Sequence, residues 1–162
     1  METSQEPPNS VLQPLSVYSS RCDDKGRLRL PKEIEDFLRT FPEPEFFVTS
    51  MDGGNIARIY PIRAWLENER VLAQYKKSPS AARNIAFMAH FWGGVTTIDS
   101  QGRVLIPPAL RRKLGIEDQK VNVQYYKGTV EVFRETESEQ RLASAAVGLA
   151  ENLEDLEREG LT

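Results

Sequence analysis

The stretch Asp23-Asp24-Lys25-Gly26-Arg27-Leu28-Arg29-Leu30-Pro31 is nearly repeated as Asp99-Ser100-Gln101-Gly102-Arg103-Val104-Leu105-Ile106-Pro107, at an offset of 99 − 23 = 76 residues. The aspartate, glycine, arginine and proline coincide at that offset, and the register persists beyond the phrase. Phe46-Phe47-Val48 falls near Val121-Asn122-Val123, and residues 56–60 resemble residues 130–133 once a small insertion around Gly53-Gly54 is allowed. Each half reads strand, short helix, strand, turn, strand. A unit of that size buries too little apolar surface to stand alone, so the two copies are expected to close one shared core.

The phrase has a mechanical reading. An aspartate three residues before a glycine is turn chemistry, because the carboxylate accepts from nearby backbone N–H groups and glycine takes positive φ without a Cβ clash. The arginine after the glycine opens a strand. Alternation then sets Leu28 and Leu30 against Arg27 and Arg29, and Val104 and Ile106 against Arg103. Pro31 and Pro107 end these strands and suit the first turn of a helix. Ile34, Phe37 and Leu38 follow at i, i+3, i+4, while Leu110 and Leu114 precede Gly115, a good C-terminal cap.

Two helices are expected between the halves. One follows Pro61 with Ile62, Trp65, Leu66 and Leu72 at amphipathic spacing; the other begins at Ser78-Pro79 and stops at Gly93-Gly94. Ile85, Phe87, Met88, Phe91 and Trp92 are more apolar residues than one narrow face carries, so some are expected to meet a neighbour or another subunit. After Arg134 the chain reads as helical. Leu142, Ala146, Leu149, Leu153 and Leu156 alternate steps of four and three, a seam of two heptads interrupted by Gly148 that packs either onto its own subunit or onto another.

Charge is informative by its distribution. The 162 residues carry a net charge of −3, which gives no global attraction to phosphate. Residues 21–32 nevertheless hold five bases against two acids, and residues 99–113 hold four against one. Residues 131–162 hold nine acids against three bases, an acidic solvated helix that hides both islands in the total. No apolar run approaches the roughly 20 residues that span a bilayer, so no membrane partner is expected. The N-terminal residues lack a basic start and an apolar core, unlike a secretion signal. A single cysteine, Cys22, suits a reducing cytoplasm and offers no metal-ligand spacing.

At this point the chain resembles the MraZ family of bacterial regulators, which carry two AbrB-like (SpoVT-type) halves. Their signature is a duplicated Asp-x-x-x-Arg inside a phrase of the form Asp-x-(Lys/Gln)-Gly-Arg-(Leu/Val)-x-(Ile/Leu)-Pro. Both copies are present, with the Asp52-Gly53 turn, Tyr60-Pro61 followed by Trp65, and the run Ile106-Pro107-Pro108-x-Leu110-Arg111; the resemblance covers roughly residues 17–140. It departs after Pro31, where Lys32-Glu33-Ile34-Glu35-Asp36 stands in place of a more arginine-rich segment, and in Val17-Tyr18-Ser19-Ser20 in place of an aromatic-Gly opening.

The resemblance implies an α+β fold centred on a β-barrel of swapped hairpins (double-split). It implies a ring-like homo-oligomer that binds double-stranded DNA at short promoter repeats upstream of division and cell-wall genes, as a repressor. Residues 1–15 are expected to be a disordered tail, 16–64 the first repeat, 65–94 a helical connector, 95–140 the second repeat and 141–162 the acidic helix. Arg27 and Arg103 match the motif arginines. Arg27 is the candidate for base readout, with Lys25 and Arg29 on phosphate; Arg103 is left between DNA contact and assembly. Asp23 and Asp99 are assigned to holding the turns or pairing with the motif arginines, and Gly26 and Gly102 to making the turns. The expected location is the cytoplasm, in association with the nucleoid.

An enzyme is the rival from another class. The single histidine, His90, lies on a helix rich in apolar residues, where a core or interface role is expected rather than general-base work. No nucleophile elbow, phosphate-binding glycine loop or metal-ligand spacing is present. The expectation is a non-enzyme with no cofactor, metal or small-molecule substrate. The nearer alternative is a ring-forming scaffold of the same fold that has lost DNA recognition.

Overall fold

The computed structural model describes residues 12–162, so the expected N-terminal tail lies outside the described residues as far as residue 11. The first half comprises β1 (Val17–Cys22), β2 (Arg27–Arg29), α1 (Lys32–Leu38), β3 (Glu45–Thr49) and β4 (Ala57–Pro61). Two helices follow, α2 (Ile62–Gln74) and α3 (Pro79–Trp92). The second half repeats the order: β5 (Gly94–Thr97), β6 (Arg103–Leu105), α4 (Pro108–Leu114), β7 (Gln119–Tyr126) and β8 (Thr129–Arg134). A single 3-10 turn (Glu135–Glu137) leads into α5 (Ser138–Ala146) and α6 (Leu149–Arg158).

All eight strands join one antiparallel sheet in the order β5-β3-β4-β8-β7-β1-β2-β6. The edges nearly close into a barrel, since the Leu105 amide of β6 donates to Thr96 Oγ1 of β5 at 3.0 Å. Exchanging the halves maps this circular order onto itself: β1 on β7 becomes β5 on β3, while β2–β6 and β4–β8 map onto themselves. Strands of the two halves are thus interleaved. Each half supplies β-hairpin edges that only the other can satisfy, which removes the unpaired edges a single copy would expose.

The core is shared in the same way. Leu28, Leu30, Ile34, Phe37 and Val48 of the first half pack with Val104, Ile106, Leu110, Val121 and Val132 of the second in one buried cluster. The expected alternation holds, with Leu28 and Val104 buried between more exposed neighbours. Pro31 and Pro107 occupy the residue just before α1 and α4, with φ of −53° and −54°, so the proline at the first helical position is Pro108. Gly115 ends α4 in the left-handed region, as its sequence position predicts. Strands β1 and β5, upstream of each phrase, were not read from the sequence. Their alternation of serines and threonines with few large apolar residues gives a weak strand signal.

The α2–α3 hairpin is held to the barrel by a second, smaller cluster of Phe47, Tyr60, Trp65 and Ala89. Phe47 and Trp65 stack with ring centroids 4.5 Å apart. Ser78 caps α3 by accepting from the Ala81 amide, as expected from Ser78-Pro79. Gly148, at φ +68°, divides the C-terminal segment into α5 and α6, at the position where the leucine seam is interrupted in sequence. Ser138 Oγ donates to Asn122 Oδ1 and Arg141 to Glu131, fastening α5 to the barrel. No residue of α6 is buried.

Candidate nucleic-acid interface

The two phrases come together as one object. β2 and β6 pair with Arg27 opposite Leu105, Leu28 opposite Val104 and Arg29 opposite Arg103. Leu28 and Val104 turn inward at the centre of the pair, so Arg27, Arg29, Arg103 and Leu105 occupy the four corners of the outward face. The pairing continues past the strands, as the Leu30 amide donates to Gly102 O at 2.9 Å and the Ile106 amide to Gly26 O at 2.8 Å. Each strand thus ends against the turn that opens the other.

The turns are built identically. Asp23 Oδ1 accepts from the backbone amides of Lys25 and Arg27, each at 2.9 Å, while Oδ2 accepts from Arg27 Nε at 2.8 Å. Asp99 treats Gln101 and Arg103 in the same manner, with its Oδ2 2.9 Å from Arg103 Nε. Gly26 and Gly102 take φ of +80° and +75°, which supplies the reversal. Each aspartate thus both holds its turn and pairs with its motif arginine. At Asp23 partial burial works against ionisation, but the amides of Arg27 and Lys25 and the Arg27 side chain outweigh it and lower the carboxyl pKa. At Asp99 the Arg103 amide is the leading cause of a lowered pKa, against a smaller desolvation penalty.

This geometry aims the guanidinium groups. Among the described residues, Arg27 and Arg103 bond only through Nε. The terminal nitrogens of each guanidinium make no hydrogen bond among the described residues while the Nε bond restricts the side-chain torsions, an arrangement suited to bidentate acceptors such as phosphate or a guanine edge. Arg29 leans along the ribbon toward Gln101 O, 3.4 Å from its Nη1. Lys25 is exposed at the tip of the first turn, opposite in the repeat to neutral Gln101.

The helices add residues that the sequence did not single out for contact. Arg111 of α4 donates through Nη1 to Lys25 O at 2.6 Å and to Ile106 O at 3.3 Å, bracing the first turn from the second half. Arg39 donates through Nη2 to Asp99 O at 3.0 Å and through Nε to Glu35 at 2.9 Å, bracing the second turn from the first half. Glu35 and Arg111 share one repeat position. Carrying the offset through the helices would have found them, but not the contact they make.

His90 is exposed at the α2–α3 seam, with Nε2 2.6 Å from a Glu69 oxygen that also accepts from Trp65 Nε1 at 2.9 Å, so it bridges two helices and does not sit in a core. Among the described residues no group of histidine, cysteine or carboxylate side chains could hold a metal ion, and no helix is long and apolar enough to cross a membrane.

Among the proteins this chain is similar to are three each named a transcriptional regulator MraZ. The protein of Solidesulfovibrio magneticus is 31% identical over 151 residues, covering 90% of this chain and 95% of its own length. That of Acidobacterium capsulatum is 39% identical over 97 residues, which is 58% of this chain and 64% of the relative. That of Thermus thermophilus is 32% identical over 107 residues, 65% of this chain and 69% of the relative. No family model matches the chain.

Proposed function

Since the chain belongs to the MraZ family, we propose that it is a transcriptional regulator that binds double-stranded DNA with the outward face of the β2–β6 ribbon. The observation that carries this reading is the cluster of Arg27, Arg29 and Arg103 on one two-stranded ribbon, two of them aimed by aspartates that also fix the backbone. A two-stranded ribbon fits the major groove, where arginine reads guanine O6 and N7 bidentately. Prepaid side-chain order makes such contacts less costly to form. Arg27 is assigned to base readout, with Lys25 and Arg29 on phosphate. Arg103 joins them because it lies beside Arg29 on the same face, and the assembly role once open to the second phrase is not needed to explain it.

A net charge of −3 is no obstacle. Nine of the acids fall in residues 131–162, whereas residues 21–32 and 99–113 each carry a local excess of base, and exposed charges act mainly within about 8 Å at physiological salt. One ribbon is a small footprint for a specific site. A ring-like homo-oligomer would present several ribbons to successive promoter repeats and gain affinity by avidity. We assign the protein to repression at repeats upstream of division and cell-wall genes, in the nucleoid.

The test is binding of the wild type and Arg27→Ala to a labelled duplex from upstream of its own gene, across a salt series and against scrambled DNA. Specific, salt-sensitive binding that Arg27→Ala loses while keeping its assembly is the expected result. Equal binding to scrambled DNA sinks recognition of that site; no preference anywhere in genomic DNA leaves the scaffold alternative in front.

A further inference from the structure

α6 is a helix without a place to rest. It has ten residues, none buried, and isolated helices shorter than about 12–15 residues are marginal in water even with good sequences. Leu149, Leu153 and Leu156 nevertheless form a stripe at i, i+4, i+7, and they are 50%, 39% and 53% exposed. Such a stripe stabilises a short helix only when something covers it. Nothing among the described residues does.

The same chain offers a surface of the complementary kind. A groove of about 330 Å³ runs between α2 and α3, lined by Leu72, Ala73, Tyr75, Ala82 and Ala86 with Arg83 at its rim. Lys76 and Lys77 stand in the turn that joins the two helices. Glu69 also lines the groove, but its carboxylate is engaged by Trp65 and His90. The floor is apolar and the rim carries Arg83, with Lys76 and Lys77 in the adjoining turn.

We infer that α6 of one copy lies in the α2–α3 groove of the next copy, its leucine stripe on the apolar floor and its acids toward Lys76, Lys77 and Arg83. Residues 149–162 hold five acids, Glu151, Glu154, Asp155, Glu157 and Glu159, against the single base Arg158. Two such helices facing each other would set acid against acid, so an α6–α6 seam is the poorer pairing. A knob and a socket on different parts of one chain make a heterologous contact, and repetition of that contact generates a ring where the rotation closes. This inference rests on the self-association reading and gives that reading a specific contact.

The test uses full-length protein. Leu153→Asp combined with Leu156→Asp alters only exposed positions, so the barrel should keep its circular dichroism spectrum and thermal transition while sedimentation velocity shows the assembly falling to a monomer. Lys77→Glu with Arg83→Glu should weaken assembly at least tenfold in midpoint concentration. In an equimolar mixture of Leu153→Cys and Ala86→Cys chains, oxidation should link one variant to the other; Cys22 is buried and does not compete. Links of Leu153→Cys to itself, or links confined within one chain carrying both cysteines, would overturn the docking mode. An assembly unchanged in size by the double aspartate variant would overturn it too while leaving self-association standing. A wild type that stays monomeric at all concentrations would remove both.

Discussion

Glu35 and Arg111 stand at the same repeat position, 111 − 35 = 76, and each lies over the motif glycine of the opposite half: Arg111 over Gly26, Glu35 over Gly102. The fold thus uses one place in the helix to lock the partner half's turn, with opposite charge in the two copies. A Cβ at Gly26 would collide with the Arg111 guanidinium, and a Cβ at Gly102 with the Glu35 carboxylate.

Gly26→Ala should therefore destabilise the protein through two separable effects. Left-handed backbone costs a residue with a Cβ about 1–2 kcal/mol, and displacement of Arg111 adds loss of its bond to Lys25 O. In a double-mutant cycle with Arg111→Ala the costs should sum to less than their parts, since the collision is counted once. Urea unfolding of the four proteins measures this; strict additivity would show that Arg111 yields freely and does not brace the turn.

The lowered pKa of Asp23 and Asp99 predicts a defined acid limb. A carboxyl whose folded pKa lies below its unfolded value of about 3.9 stabilises the protein above that value, and the contribution disappears as pH falls through the folded pKa. Asp23→Asn keeps an acceptor for the turn but gives up the charge facing Arg27. It should lower the urea midpoint at pH 7 and have progressively less effect toward pH 2. A difference constant across that range would show that the ionised carboxylate contributes nothing beyond its turn bonds.

Much of the barrel was legible because its signals are local. The Asp-Gly turns, the inward Leu28 and Val104, the Ser78 cap and the Gly115 stop are each set by a few adjacent residues, and the repeat itself announced a shared core. The pairing of Arg29 with Arg103 was not legible, because it joins strands more than 70 residues apart and depends on which half completes which edge. That pairing changes the meaning of the duplication. The two phrases are the two strands of one ribbon. His90 lies outside the core for a related reason: its apolar neighbours in sequence include Phe87 and Phe91, which the fold leaves exposed.

Cys22 should behave as a reporter of unfolding. It is fully buried on β1, and burial first of all, with Asp23 nearby, pushes its pKa up to about 11. At neutral pH the native thiol is then almost wholly protonated as well as inaccessible, and thiolate is the reactive form. Labelling by a small alkylating reagent should be negligible in the native protein and complete in denaturant, with an intermediate rate that follows global unfolding. Rapid native labelling would mean that β1 opens locally, away from its long pairing with β7.

Leu105 is the one corner of the ribbon face without charge, directly opposite Arg27. Leu105→Arg would complete four arginines on the face that is proposed to meet DNA. Like charges across a strand pair cost about 0.2–1 kcal/mol, so the variant should unfold slightly more easily. Its DNA binding should move the other way. One added phosphate contact steepens the slope of log K against log salt by about 0.9, so affinity for a duplex should rise at low salt and the gain should vanish as salt increases. The opposed signs make the result specific: a variant that loses stability with no change in salt slope would mean the ribbon's outward face does not lie on the phosphate backbone, whatever else the arginines do there.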